Sequence, residues 1–212
     1  MNWIFASLLW LVCTSIVHAQ TEGPSQIVPV VQPGTAFAQT HPDQRAAVLD
    51  AEREKHALEI FLNLVQKAIV SAAEAMPADK YGFAPTDGEF KGVRTFGQQV
   101  KHVAAANHIL AAAALGEQPP ADAGDEAGPE TVRTKAEILD YLKGSFAHLA
   151  KAVGAIGEKT EVVKSSPISP LKGAEATRLA LTVESLAHAF DHYGQMVEYL
   201  RMNGVVPPAS RP

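Results

Sequence analysis

In Leu58-Glu59-Ile60-Phe61-Leu62-Asn63-Leu64-Val65-Gln66-Lys67-Ala68-Ile69-Val70-Ser71-Ala72-Ala73-Glu74-Ala75-Met76-Pro77, the residues Leu58, Phe61, Leu62, Val65, Ile69, Ala72 and Met76 recur three and four positions apart. That spacing draws one apolar face on an α-helix, and Pro77, which has no amide donor, ends it. Three later stretches repeat the pattern. Phe96, Val100 and Val103 lead into an alanine-rich tract through Ala114 that suits close helix packing, giving a helix from about Arg94 to Leu115 stopped by Gly116. Ile138, Leu142, Phe146, Leu149 and Val153 mark a third, from about Arg133 to Ile156. A fourth spans roughly Gly173 to Asn203, where Asn203-Gly204 closes it and Pro207-Pro208 forbids continuation.

No alternating apolar and polar run suggests a sheet. The expected fold is therefore all-α, a four-helix bundle. Its connections, Pro77–Val93, Glu117–Val132 and Gly157–Lys172, exceed the ~2–8 residues that a minimal bundle needs. Loops of that length permit a crossover topology, or wall a pocket.

Upstream of the helices the chain begins Met1-Asn2-Trp3-Ile4-Phe5-Ala6-Ser7-Leu8-Leu9-Trp10-Leu11-Val12-Cys13 and reaches Val17-His18-Ala19. A short apolar core followed by small residues is the pattern of an export signal, here cut before Gln20, although no Lys or Arg precedes the core. The run falls short of the ~20 residues that cross a bilayer, so no stable membrane span is expected after cleavage. Bulky Val12 before Cys13 argues against a lipoprotein. The expected location is periplasmic or extracellular. Cleavage removes Cys13, the one cysteine in the chain, which excludes cysteine-nucleophile and cysteine-rich zinc schemes. Residues 20–42 carry Pro24, Pro29 and Pro33 and read as a linker or strap, leaving 43–204 for the bundle and 205–212 as a tail. A formal net charge of −5 with no basic block makes nucleic acid an unexpected partner.

The chemistry lies in Leu186-Ala187-His188-Ala189-Phe190-Asp191-His192-Tyr193-Gly194-Gln195. His188 and His192 are just over one turn apart, so both imidazoles leave the same face and could grip one ion. They lie in a polar row with Glu184, Gln195 and Tyr199, roughly opposite an apolar row of Leu179, Val183, Leu186, Phe190 and Val197. A third histidine from another helix would complete a three-nitrogen site with an open position, the arrangement of a catalytic metal. His102 and His108 on the second helix are six positions apart, about 600° of rotation, and cannot both serve it. His102 shares its face with Gln99, Ala105, Ala106 and Ile109, where the small alanines admit a neighbouring helix, and is the better third ligand. His108 and His148 read as structural or surface residues, and His41 and His56 as solvated.

Imidazole must be neutral to bind a metal and ionises near pH 6.5, so metal loss is expected on mild acidification. Ala189 occupies the position where a zincin protease carries its glutamate base, and the chain after His192 is too short to supply the distant carboxylate of the inverted motif. Proteolysis is not expected. A non-metal alternative stays open, in which the polar row is a hydrogen-bonded core or a dimer seam.

The blocks Phe83-Ala84-Pro85-Thr86, Val93-Arg94-Thr95-Phe96-Gly97-Gln98-Gln99-Val100-Lys101-His102-Val103-Ala104, His188-x-x-x-His192-Tyr193-Gly194-Gln195 and Tyr199-Leu200-Arg201-x-Asn203-Gly204 resemble the DinB-like superfamily, with its YfiT group of metal-dependent hydrolases, over about Ala47 to Ser210. The resemblance implies an up-down-down-up four-helix bundle, commonly a homodimer. It also implies a divalent ion, zinc or nickel, on His102, His188 and His192. The implied activity is that of a hydrolase or transferase using activated water or a polarised substrate oxygen on a small molecule whose identity these residues do not specify. The alternative is a non-catalytic dimeric module that binds metal or a small ligand. Gln195, Asp191, Glu184 and Tyr199 are the candidates to orient ligands or relay a proton, and Gly194 is expected to allow close helix approach. Many relatives carry an arginine where this chain has Tyr193, which removes one means of holding an anion. Some transfer cytosolic thiols, which an exported protein would seldom meet.

Overall fold

The computed structural model describes residues 42–86, 92–123, 126–157 and 162–211. The expected signal segment, and the strap before Pro42, lie outside them. Among the described residues four α-helices form: α1 Pro42–Ala75, α2 Phe96–Leu115, α3 Lys135–Gly154 and α4 Arg178–Met202.

Threonines fix three of the four starts. Thr95 Oγ1 accepts the Gln98 amide while the Gln98 side chain accepts the Thr95 amide, and Thr134 and Glu137 repeat this capping box at α3. Thr177 Oγ1 accepts the Ala180 amide at α4. Each cap contributes about 1 kcal/mol by satisfying amides that the helix leaves unpaired. These caps set α2 and α3 a residue or two inside the expected starts. At the other end of α2, Gly116 takes the left-handed conformation (φ 74°) at little cost.

The expectation of no sheet needs correction. Val162–Lys164 (β1) and Glu175–Thr177 (β2) pair antiparallel, with Val163 opposite Ala176. Strands of three residues are too short to show alternation, and β2 takes the residues that the periodicity assigned to the start of α4.

Helix directions follow from contacts at their ends. Lys135 Nζ, at the start of α3, donates to the carbonyls of Glu74 and Met76 at the end of α1, so α1 and α3 are antiparallel. Gly97 lies against Ile138, and further along the same helices His108 meets His148, so α2 and α3 are parallel. Arg178 at the start of α4 donates to the Ala114 carbonyl at the end of α2, while Tyr199 near the end of α4 donates to the Arg94 carbonyl, so those two are antiparallel. The order is up-down-down-up. The segment from Gly116 to Thr134 must then travel back along the bundle, and this crossover accounts for the length of that connection.

Val65, Ile69 and Met76 of α1, Phe96 and Val100 of α2, Leu142, Phe146 and Leu149 of α3, and Leu181, Met196 and Leu200 of α4 are fully buried. Burying each such side chain contributes roughly 1.5–3 kcal/mol. Inside this core Asn107 joins three helices: its Nδ2 donates to Ser145 Oγ of α3 (3.3 Å) and its Oδ1 accepts from Ser185 Oγ of α4 (3.0 Å).

Two packing expectations fail. Phe61, Val183 and Phe190, placed in apolar rows by their spacing, are 50%, 48% and 36% exposed, with Phe61 and Phe190 edge-to-face at 5.8 Å. They join Val48, Leu49, Ile60 and Leu64 as apolar side chains left on the outside of α1 and α4. Gly194 faces open space rather than a neighbouring helix. Close approach occurs instead at Gly97, where an added Cβ would lie 3.2 Å from the Tyr81 carbonyl oxygen.

Candidate metal centre

His102 leaves the middle of α2, and His188 and His192 leave successive turns of α4 opposite it. The neighbours Ala105, Ala106 and Ala189 are buried and small, which lets the two helices bring their imidazoles together. The three Nε2 atoms form a nearly equilateral triangle, with His102–His192 and His188–His192 at 3.0 Å and His102–His188 at 3.2 Å. Among the described residues this is the one group that brings three potential ligand atoms within 4.8 Å of one another.

The donor set fits a divalent ion. Three nitrogens each ~2.0–2.1 Å from one zinc are roughly 2.9–3.4 Å apart in octahedral or tetrahedral geometry, and the observed edges lie inside that range. The tautomer of His102 agrees. His102 Nδ1 donates to the Glu126 carbonyl oxygen (3.1 Å), with Glu126 Oε2 3.4 Å away. Its Nε2 therefore presents a lone pair to the triangle, as a ligand held from behind must. His192 Nδ1 faces the Gln99 amide, which also bonds Gln195 at 2.8 Å, and Gln195 donates to Asp191 Oδ2 at 2.9 Å. Gln99 Nε2 is the atom that faces His192 and it donates, so His192 Nδ1 accepts and its proton lies on Nε2; a metal ion on that nitrogen would displace the proton and turn the Gln99 amide over. His188 Nδ1 is buried without a hydrogen-bond partner among the described residues.

Burial keeps these rings neutral. It is the largest influence lowering the pKa of His188, aided by the fields of His192 and His102, and the value falls to about 4. His192 is also brought down to about 4, by burial first and then by His102. His102 is lowered by burial and by Arg94, against the pull of Glu126. Neutral imidazole nitrogens converging on one point repel one another unless a proton or a metal ion lies between them.

Beside His188 opens a cavity of about 260 Å³ walled by Ala106, Leu110, Glu126, Ile168, Pro170, Glu184 and Ala187. Ser169 Oγ donates to Glu184 Oε2 at 2.9 Å, so the segment between the hairpin strands positions one carboxylate and the crossover supplies the other.

Of the four residues expected to assist chemistry, Glu184 lines this cavity. Gln195 and Asp191 stand behind His192, and the Tyr199 hydroxyl donates to the Arg94 carbonyl at 3.0 Å. Glu126 was not anticipated, since nothing in a polar loop marks one carboxylate as facing a histidine. Gln99 had a signal, because it lies one turn before His102.

Fold and site together define a helical bundle with a buried three-histidine centre able to hold a metal ion. Residues 62–196 match the DinB superfamily, and the chain belongs to it. No curated protein matches the chain.

Proposed function

We propose that this protein is an exported member of the superfamily that holds zinc or nickel on His102, His188 and His192. In this reading it acts as a hydrolase or transferase on a small molecule bound in the adjoining cavity. The observation that carries the proposal is the Nε2 triangle, with edges of 3.0–3.2 Å, built from two helices.

A divalent ion supplies a Lewis acid there, polarising a ligand oxygen and lowering the pKa of water. The chain's own residues do the rest. The Glu126 carbonyl fixes the His102 tautomer. Ser169 holds Oε2 of Glu184, leaving Oε1 to orient a ligand hydroxyl or amine, or to take its proton. Leu110, Ile168 and Pro170 exclude water from the apolar part of the ligand. Among the described residues no lysine or arginine lines the cavity, so an anionic ligand would meet two carboxylates, and neutral or cationic substrates are favoured.

One observation supports a non-catalytic alternative. Gln195, Asp191 and Tyr199 are committed to protein partners, which leaves Glu184 as the expected proton carrier that faces the cavity. Under this reading the protein captures a ligand without turning it over. Assay of neutral esters and amides with metal-loaded wild type, His188→Ala and Glu184→Gln separates the two. Turnover lost in both variants supports catalysis, and binding without turnover in wild type supports capture.

Two further parts of the proposal rest on other features. The apolar side chains exposed on α1 and α4, Phe61 and Phe190 among them, suit a homodimer interface, which sedimentation of wild type against Phe61→Glu tests. Export predicts a mature chain beginning at Gln20, to be read by N-terminal sequencing of the secreted protein.

A further inference from the structure

We propose that His108 and His148 form a second divalent-ion site, distinct from the triad, that anchors the start of the α2–α3 crossover. The two Nδ1 atoms lie 3.1 Å apart across the parallel helices. Two neutral imidazoles in that position share a single proton, whereas a cation engages both lone pairs.

The surroundings favour the cation. Glu117 Oε2 is 3.7 Å from His148 Nε2, on the far side of the ring. At that distance the carboxylate makes no direct hydrogen bond, but its charge favours the proton on Nε2 and leaves the Nδ1 lone pair facing His108, as carboxylates behind metal-binding histidines do. The Tyr141 ring lies 5.1 Å from that of His108, and its hydroxyl is buried with no hydrogen-bond partner among the described residues. The negative field of Asp122 reaches both His108 and Tyr141. Two neutral rings with Glu117 and Asp122 carry a formal charge that a divalent ion balances.

Only two nitrogens are in place, so the remaining positions fall to water and to Asp122, while Glu117 stays behind His148. Such a site is weaker than the triad. Its position gives it a role. The crossover begins at Gly116, carries Glu117 and Asp122 past this histidine pair, and then places Glu126 on His102 and the Pro129 carbonyl on Lys101 Nζ (2.6 Å). An ion at the pair fixes the segment that walls the first site.

The test is calorimetric titration of full-length, tag-free, metal-stripped protein with zinc chloride, with amide exchange of residues 117–123 as a second readout. Wild type should take two equivalents, the second at least tenfold weaker and accompanied by slowed exchange. His108→Gln and His148→Gln should lose only the weak equivalent, and His102→Gln only the strong one. Glu117→Gln should weaken the second several-fold. Binding of a single equivalent by wild type would overturn the proposal whatever the variants do, as would a weak equivalent that survives both glutamine substitutions. A strong equivalent retained in His102→Gln would instead count against the triad.

Discussion

The Nε2 atoms of His102 and His192 lie 3.0 Å apart although 90 residues separate them. Antiparallel packing of α2 on α4 through alanines creates that meeting, and the same packing fixes the direction of every side chain around it. The consequences are open to measurement.

Acidification should act later than a free imidazole would suggest. Burial holds His188 and His192 near pKa 4 in the folded protein, below the ~6.5 of an unfolded histidine. The unfolded chain therefore takes up protons first, and stability of the metal-free protein should fall as pH drops from about 6.5 toward 4. Thermal melts across that window should show the decline, and His188→Gln with His192→Gln should flatten it. Proton competition for the metal shifts the same way, so mild acidification removes less metal than ordinary imidazoles would allow.

Asn107→Ala should cost roughly 1–3 kcal/mol, because the Ser185 hydroxyl loses its acceptor inside the core. Denaturant unfolding measures this. Replacing Ser185 by alanine in the same background should add little, whereas two fully additive losses would show that the network is not shared.

Gly157 has φ 86°, and an added Cβ would lie 2.7 Å from Ala51 Cβ. Gly157→Ala should therefore destabilise by more than about 1 kcal/mol. An unchanged melting temperature would contradict the packing of the α3 end against α1.

Glu184→Gln should leave metal content unchanged, since this carboxylate touches Ser169 and the cavity rather than a histidine. Any turnover should fall by roughly 10²–10⁴ if Glu184 carries a proton. Metal lost along with activity would point to a structural role instead.

The helices were legible because each carries a long apolar repeat, and His102 was legible as a partner because alanines surround it. The hairpin was not, since three-residue strands leave no period to read. Val183 and Phe190 misled because hydrophobic spacing reports an apolar face without saying what covers it. Glu126 was invisible because its approach to His102 depends on the path of the crossover, which no local pattern encodes. The pairing of His108 with His148 was hidden for a related reason: it requires α2 and α3 to be parallel, which only the connection of the whole bundle establishes.

The triad is tested most directly by zinc affinity, measured by chelator competition on tag-free wild type and on His102→Ala, His188→Ala and His192→Ala, each checked for retained helicity. The account predicts one tight ion in wild type and a loss of at least a hundredfold in each variant. Tight binding that persists unchanged in any one of the three folded variants would contradict it.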